Sequence, residues 1–473
     1  MALQPQPPIP ESTLAPRTSA PWWTTLVPVL LSAGVLVASF LKADWVHNDF
    51  ERFEDLRLTF LFFALFALGC FGYAQLYLER PVLATRAVAV AALSAGALLL
   101  ASFPVGSKDP FGYAFFGKVW GTYHANPYLV APAAFPADPW QPFMQVVWAR
   151  LPSPYGPLFL WQARLIDWLA DGHLFVAVWA HKLIATAALA ATVLVAARVL
   201  NALAPPERLQ SLALLAWNPL LLFESAGTGH NDAVMVLSVV AAVWMQRRGG
   251  WARTILAPAI LMLAVWYKWY ALLFVPVFLI AAYRDGGLRA AGWWLAAAIS
   301  IGAGCGVLLL APLADAAPAV LRGLVSHGNV WQIYPLLLSP VLAPLLWGLD
   351  ALGLVGGRWG MAWFDGIRFA LFAVVALAVF VSQWRGALDF VGALCLLAVA
   401  FTMVLVAALL PWHLEVPVAL ALLAGGRWWQ ALGVALTLLA LLSYFFTFVW
   451  AAGLLVLLAA AVSAVRRLQP VRA

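Results

Sequence analysis

The chain has 473 residues, 64% hydrophobic and only 10% charged, with a formal net charge of +7 and a mean hydropathy of +0.91. Soluble domains carry about 25% charged residues, so the composition excludes a mostly wetted surface. The basic residues sit singly or in pairs between apolar runs, which fits membrane topology and argues against a nucleic-acid partner.

Residues 1–21 are Pro-rich and polar and read as a disordered cytoplasmic tail without a removable signal. Residues 22–473 read as one membrane-embedded catalytic domain, all-α, a polytopic bundle of about 12–14 spans. The spans are expected at 22–42, 57–79, 82–103, 174–200, 209–225, 231–246, 254–267, 269–283, 289–311, 366–383, 387–410, 412–425, 428–447 and 449–465. These runs are Leu, Ala and Val without the alternation of a barrel strand. Cys70, Cys305 and Cys395 lie inside apolar runs and read as packing residues.

Orientation follows from the Arg-bearing connections. Arg80 with Arg86, Arg198 with Arg208, Arg247 and Arg248 with Arg253, Arg284 with Arg289, then Arg385, Arg427 and Arg466–Arg467 form one consistent set. Placed in the cytoplasm, they put both termini there. The outer side then receives the acidic loop from Asp44 to Arg57, a first long loop over 104–173 and the turn Gly227–Asp232. It also receives a second segment over 312–365 and the turn Pro411–Glu415. Residues 332–349 are apolar yet must enter and leave on that side, as a re-entrant or surface-lying helix; if they cross, the later topology inverts.

Candidate chemistry concentrates in these outer segments. The first loop carries Ser107-Lys108-Asp109-Pro110-Phe111-Gly112-Tyr113, Asn126-Pro127-Tyr128 and Ser153-Pro154-Tyr155-Gly156-Pro157. A loop of that length in a membrane protein points to function. Its aromatics (Trp120, Tyr123, Tyr128, Trp140, Trp148, Tyr155, Trp161) are read two ways, as interfacial anchors or as sugar-stacking faces. Asp109 is either a solvated cap or a general base. Lys268, among Trp266, Tyr267, Trp269 and Tyr270, is a costly charge in an apolar stretch, there for a phosphate or as a snorkelling anchor. His181-Lys182 lies about two turns inside the span from 174, and Arg150 and Arg164 also read as ordinary surface charge. In Gly229-His230-Asn231-Asp232, Asn231 and Asp232 stand at a helix start, where capping is the alternative to a ligand role. His327 is a lone loop histidine, and Glu415 is an acid placed to pair with a cation.

The order SKD-x-x-x-Y, NPY, SPYGPLFLW, NPLLLFESAGTGHND, a lone Lys268 and LPWH resembles one family. It is similar to the bacterial polyprenol-phosphate-mannose-dependent α-1,6-mannosyltransferases that build lipomannan and lipoarabinomannan, integral-membrane glycosyltransferases of the C fold. The resemblance runs from about residue 100 to 425. It implies inverting transfer from a polyprenyl-phosphate sugar to a glycolipid or glycan acceptor, on the outer face of a bacterial plasma membrane.

The resemblance puts the family's loop acid on Asp109 as catalytic base. It implies Lys182, Lys268, His230, His327 and Arg164 for the donor phosphate and lipid. Tyr113, Tyr128, Tyr155, Asn231, Asp232, Trp412 and His413 are implied for sugar and acceptor. Two positions depart from the pattern: Asp232 stands where the mycobacterial type has Glu, and His413 where the family usually has Tyr. No His/Cys ligand spacing and no Asp-x-Asp is present at the key loop, so no cofactor is required and a divalent metal is left open. The rival reading is a transporter or lipid flippase. It would place polar groups near the bilayer midplane and show repeat symmetry, and no internal repeat is visible.

Overall fold

The computed structural model describes residues 22–40, 56–104, 106–203, 207–316, 357–406 and 410–444. The expected tail at 1–21, the acidic loop from Asp44 to residue 55, His327, the 332–349 segment and the span at 449–465 lie outside the described residues. Among the described residues no strand forms, and the all-α architecture is as expected.

The helices are α1 (Trp22–Phe40), α2 (Leu56–Glu79), α3 (Thr85–Ala101), α4 (Asp109–Gly121), α5 (Pro157–Ala170), α6 (Leu174–Leu203) and α7 (Arg208–Ala216). They continue as α8 (Asp232–Arg248), α9 (Ala257–Tyr267), α10 (Val275–Leu310), α11 (Gly357–Trp384), α12 (Phe390–Ala400), α13 (Glu415–Ala424) and α14 (Arg427–Ser443). Among the described residues, four stretches are long and apolar enough to cross a membrane: 60–79, 174–202, 269–315 and 366–384. Six shorter apolar helices, of 10–17 residues, accompany them. α10 is two helices joined by a sharp break, because Gly286 (φ −157°, ψ 21°) and Gly287 (φ 68°, ψ −166°) leave the helical region. That break separates the expected spans 269–283 and 289–311.

The first long loop, expected on the outer side, contains regular helix. α4 and α5 lie within 104–173 and pack on one another. Their crossing is close because Gly117 has no side chain: a Cβ there would lie 2.3 Å from the Ala163 carbonyl oxygen. Most of the loop's aromatics are therefore core. Tyr113 is buried, as are Trp120, Tyr128 and Trp140, which for those last three speaks against the interfacial-anchor alternative. Lys118 is buried too, 2.6 Å from Asp138 and over the Trp140 ring. Burial raises the Asp138 carboxyl, but bonds from Lys118, Tyr123 and the Trp140 N–H outweigh it and leave the group below its ordinary value.

The expected span at 209–225 is interrupted at Trp217–Asn218. Pro219 cannot extend the preceding helix, and Asn218 restarts the chain by accepting from the Leu220 and Leu221 N–H groups at 3.0 and 3.1 Å. Its amide also donates to Tyr73 Oη (2.7 Å) on α2 and Thr437 Oγ1 (2.9 Å) on α14. One buried side chain thus ties three segments together. The basic connections also meet in pairs: Arg80 lies 3.9 Å from Glu207 and bonds Gln430, and Arg253 lies 3.0 Å from Asp285.

Removing Asn218 leaves buried amide and hydroxyl partners unsatisfied. Asn218→Ala is expected to cost roughly 1–3 kcal/mol, seen as a lowered midpoint in a thermal scan of the detergent-solubilised chain.

Candidate active site

Four interruptions of helical backbone converge. α4 begins at Asp109, whose N–H donates to Ser107 Oγ at 3.1 Å. Between α7 and α8 the chain widens into a π-type segment, Phe223–Thr228, ended by Gly229 at φ 94°. The Gly229 and His230 N–H groups both donate back to the Glu224 carbonyl, at 2.9 and 2.8 Å. Glycine is required at 229 twice over: the φ is left-handed, and a Cβ would meet Lys182 Cγ at 2.7 Å. α9 stops at Lys268, which is extended (φ −148°, ψ 112°) before the 3₁₀ turn Trp269–Phe274. A second 3₁₀ turn, Pro411–Leu414, precedes α13.

At the centre are acids, one lysine and one histidine. Lys268 Nζ donates to Asp232 Oδ2 at 2.6 Å and to Asn231 Oδ1 at 3.1 Å, and lies 6.0 Å from the Tyr155 ring. Asn231 makes no side-chain cap to α8, so the capping alternative gives way to a lysine clamp. An ammonium has three protons, and these two bonds use two. His230 is fully buried. Its Nδ1 bonds Glu224 Oε2 at 2.8 Å, its ring stacks on Trp412 (centroids 4.1 Å apart), and its Nε2 faces Asp109 Oδ2 at 3.7 Å. Glu224 Oε1 accepts from the Tyr444 hydroxyl at 2.6 Å.

Asp109 is 9% exposed and lines a narrow cleft with Lys108, Tyr113, Trp148 and Tyr155. Burial pushes its carboxyl above the usual carboxylate range; His230 and Lys268 pull it back and Asp232 adds to the rise. Burial also raises the Tyr113 and Tyr155 phenols, so both are neutral hydrogen-bonding groups beside the acid.

Of the expected site residues, the structure brings together Asp109, His230, Trp412, Lys268, Asn231, Asp232, Tyr113 and Tyr155. His327 lies outside the described residues, and the others have their polar atoms committed elsewhere. Lys182 is fully buried and gives its protons to the Leu99 and Ser102 carbonyls at the end of α3. Tyr128 donates to the Tyr155 carbonyl at 2.9 Å and so holds the Ser153–Pro157 turn. His413 Nδ1 accepts from the Leu410 N–H at 3.1 Å. Arg164 lies over the Trp120 and Trp161 rings, in a separate groove. Glu415, expected to pair with a cation, instead takes its hydrogen bond from Ser225 Oγ at 3.2 Å. Glu224 was not expected. Its signal was an acid closing an apolar run six residues before a histidine. Among the described residues no group of three or more His, Cys, Asp or Glu is placed to hold a metal.

The model of the alpha-(1->6)-mannopyranosyltransferase N-terminal domain matches residues 23–284, more than half of the chain. An alpha-(1->6)-mannopyranosyltransferase of Mycobacterium tuberculosis is 31% identical over 153 residues, 32% of this chain and 26% of the relative. A probable alpha-(1->6)-mannopyranosyltransferase of Mycolicibacterium smegmatis is 29% identical over 191 residues, 39% of this chain and 34% of the relative. Alpha-(1->6)-mannopyranosyltransferase A of M. tuberculosis is 26% identical over 416 residues, 83% of this chain and 78% of the relative. The first two matches therefore span about a quarter and a third of those relatives' lengths. No solved structure matches the chain.

The electrostatics fix a sign for pH dependence. A carboxylate acting as base at the Asp109 position must be ionised, so with that role the acidic limb of kcat/KM is expected above the pKa of ~3.9 of an unperturbed aspartate. Lys268→Met removes a cation that favours the Asp109 carboxylate, so the limb is expected to move to higher pH in a pH–rate profile of residual activity.

Proposed function

The chain belongs to the alpha-(1->6)-mannopyranosyltransferase family, and from that premise we propose that it transfers a mannosyl residue from a polyprenyl-phosphate donor to a glycolipid or glycan acceptor. The observation that carries the reading is one buried carboxylate, Asp109, facing a histidine held by a second acid, beside an ammonium with one uncommitted proton. Base and cation are the two demands of an inverting displacement.

In this reading the acceptor hydroxyl sits against Asp109, within the 2.6–3.2 Å or so that proton abstraction needs. Its oxygen forms a bond to the anomeric carbon as the bond from that carbon to the phosphate oxygen breaks, and the proton passes to the Asp109 carboxylate. The electron pair leaves on the lipid phosphate. Lys268 meets that phosphate with its remaining proton, while Asp232 and Asn231 hold the lysine head in place. A single displacement inverts the anomeric centre, and one carboxylate suffices as base. His230 faces Asp109 with Nε2, 3.7 Å from Oδ2, and acts on the carboxylate through charge. Glu224 fixes the imidazole by holding Nδ1, and Trp412 closes the face of the ring. Tyr113 and Tyr155 supply neutral hydroxyls to the sugar.

The sidedness belongs to the same proposal. Asp109, His230, Lys268 and Trp412 all come from connections on the side opposite to the Arg-bearing ones, so the site opens to the outer face of a plasma membrane. The unit spans 22–473 as one catalytic domain with cytoplasmic termini.

Membranes expressing the chain are expected to transfer label from polyprenyl-phosphate mannose to membrane glycolipid. Asp109→Asn at equal abundance should lower the rate about 10²–10⁴-fold, the range for a lost general base. Equal transfer by both proteins would place the base elsewhere, and transfer by neither would remove this donor.

A further inference from the structure

A second concavity runs along α5, away from the Asp109 cleft. It has a volume of about 1100 Å³. At the α5 N-terminus it is lined by Leu158, Gln162 and Tyr267, with Tyr267 Oη bonded to Gln162 Oε1 at 3.1 Å. This end adjoins the Lys268–Asp232 pair, because Tyr267 and Val234 of the lining are close chain neighbours of the two. The groove then follows 14 residues of helix, roughly 20 Å at 1.5 Å per residue. Its far end carries Trp168, Asp167, Asp171 and His124. Gly156 sets the near end by letting the turn before α5 lie against the Trp266 and Tyr267 carbonyls, where a Cβ would come within 2.0 Å of oxygen.

Two features say what fits. Trp168 is 73% exposed and lines the groove, and Trp161 carries Arg164 over its face, so the walls offer aromatic surfaces at intervals along the helix. Between them stand carboxylates and an amide. Asp167 is only 5% exposed; Oδ2 accepts from Thr122 at 2.9 Å, and Oδ1, also buried, has no hydrogen-bond partner. A buried carboxylate oxygen left unpaired is costly, and a donor entering from the groove relieves it. A hydrocarbon chain has no donor to give, and it would desolvate two carboxylates without return. A chain of sugar rings presents apolar C–H faces to indole and hydroxyl donors to carboxylates.

We propose that this groove is the glycan subsite of the acceptor, holding the sugar chain along Trp161, Asp167 and Trp168 while its growing end reaches the Lys268–Asp109 region. The assignment rests on the transferase reading for its role, but binding alone tests the groove. Trp168 is a contact residue for the glycan and does not touch the reacting atoms.

The test uses the full chain in lipid nanodiscs and a short α-(1→6)-linked mannose oligosaccharide, titrated calorimetrically without donor and then used as acceptor. The wild type should bind it, and Trp168→Ala should weaken binding about tenfold, the effect of losing one aromatic anchor, with Trp168→Phe restoring most of it. Asp171→Asn, which keeps a residue tolerant of the left-handed backbone there (φ 46°), should also weaken binding. In transfer assays the acceptor KM should rise by the same factor as binding falls, with the donor KM unchanged. Binding that these variants alter, without any transfer by the wild type, would uphold the groove while overturning the transferase reading. Unchanged affinity in Trp168→Ala would overturn the groove assignment. So would a rise in donor KM alone, which would give the groove to the lipid, or transfer without oligosaccharide binding.

Discussion

The Lys268–Asp232 pair is the interaction on which the rest of the site depends. A lysine in an apolar stretch is costly to hold charged, and here it is held by a carboxylate at 2.6 Å and an amide oxygen at 3.1 Å. That geometry needs both chains to leave regular helix at the same place. α9 ends in an extended residue, and α8 begins three residues after the left-handed Gly229. The breaks supply polar backbone next to apolar helices, which is tolerated where protein surrounds it. The same breaks aim His230 at Asp109.

Around that pair acids and cations interleave. Asp109, Glu224, Asp232 and Glu415 are all buried, with Lys268, the buried Lys182 beside Gly229, Lys108 in the Asp109 cleft and, when protonated, His230 among them. A buried carboxylate without a cation of its own holds a proton or recruits a donor. The direction for Asp109, raised by burial, agrees with a base tuned upward toward its working pH. Tyr444 and Ser225 supply neutral hydrogen bonds to Glu224 and Glu415. The cluster is therefore arranged to accept a proton and to hold one cation steady, and these are the demands of transfer to a hydroxyl from a phosphate.

Much of this was legible in the sequence, for identifiable reasons. Asp109, Lys268 and His230 stand out because charge in or beside an apolar run has few structural uses. The helical class followed from runs without alternation. What was not legible depended on distance in space. The resemblance implied Tyr128 and Lys182 for ligands; in the structure one ties down a turn and the other caps the carbonyls of α3, contacts that only distance in space reveals. Glu224 was hidden at the end of an apolar run and gains meaning only when the π-type segment turns it onto His230. The helices within the first long loop were not among the expected elements. Its helices are fixed by tertiary contacts such as Gly117 against Ala163.

The most direct measurement is a structure of the chain in nanodiscs with a non-transferable phosphonate analogue of polyprenyl-phosphate mannose. The account predicts the phosphonate oxygens on Lys268 Nζ and the sugar between Asp109 and Trp412, its anomeric carbon open to attack from the Asp109 side. A phosphonate bound away from Lys268, among the Arg80, Arg253 and Arg427 connections at the other end of the helices, would contradict it.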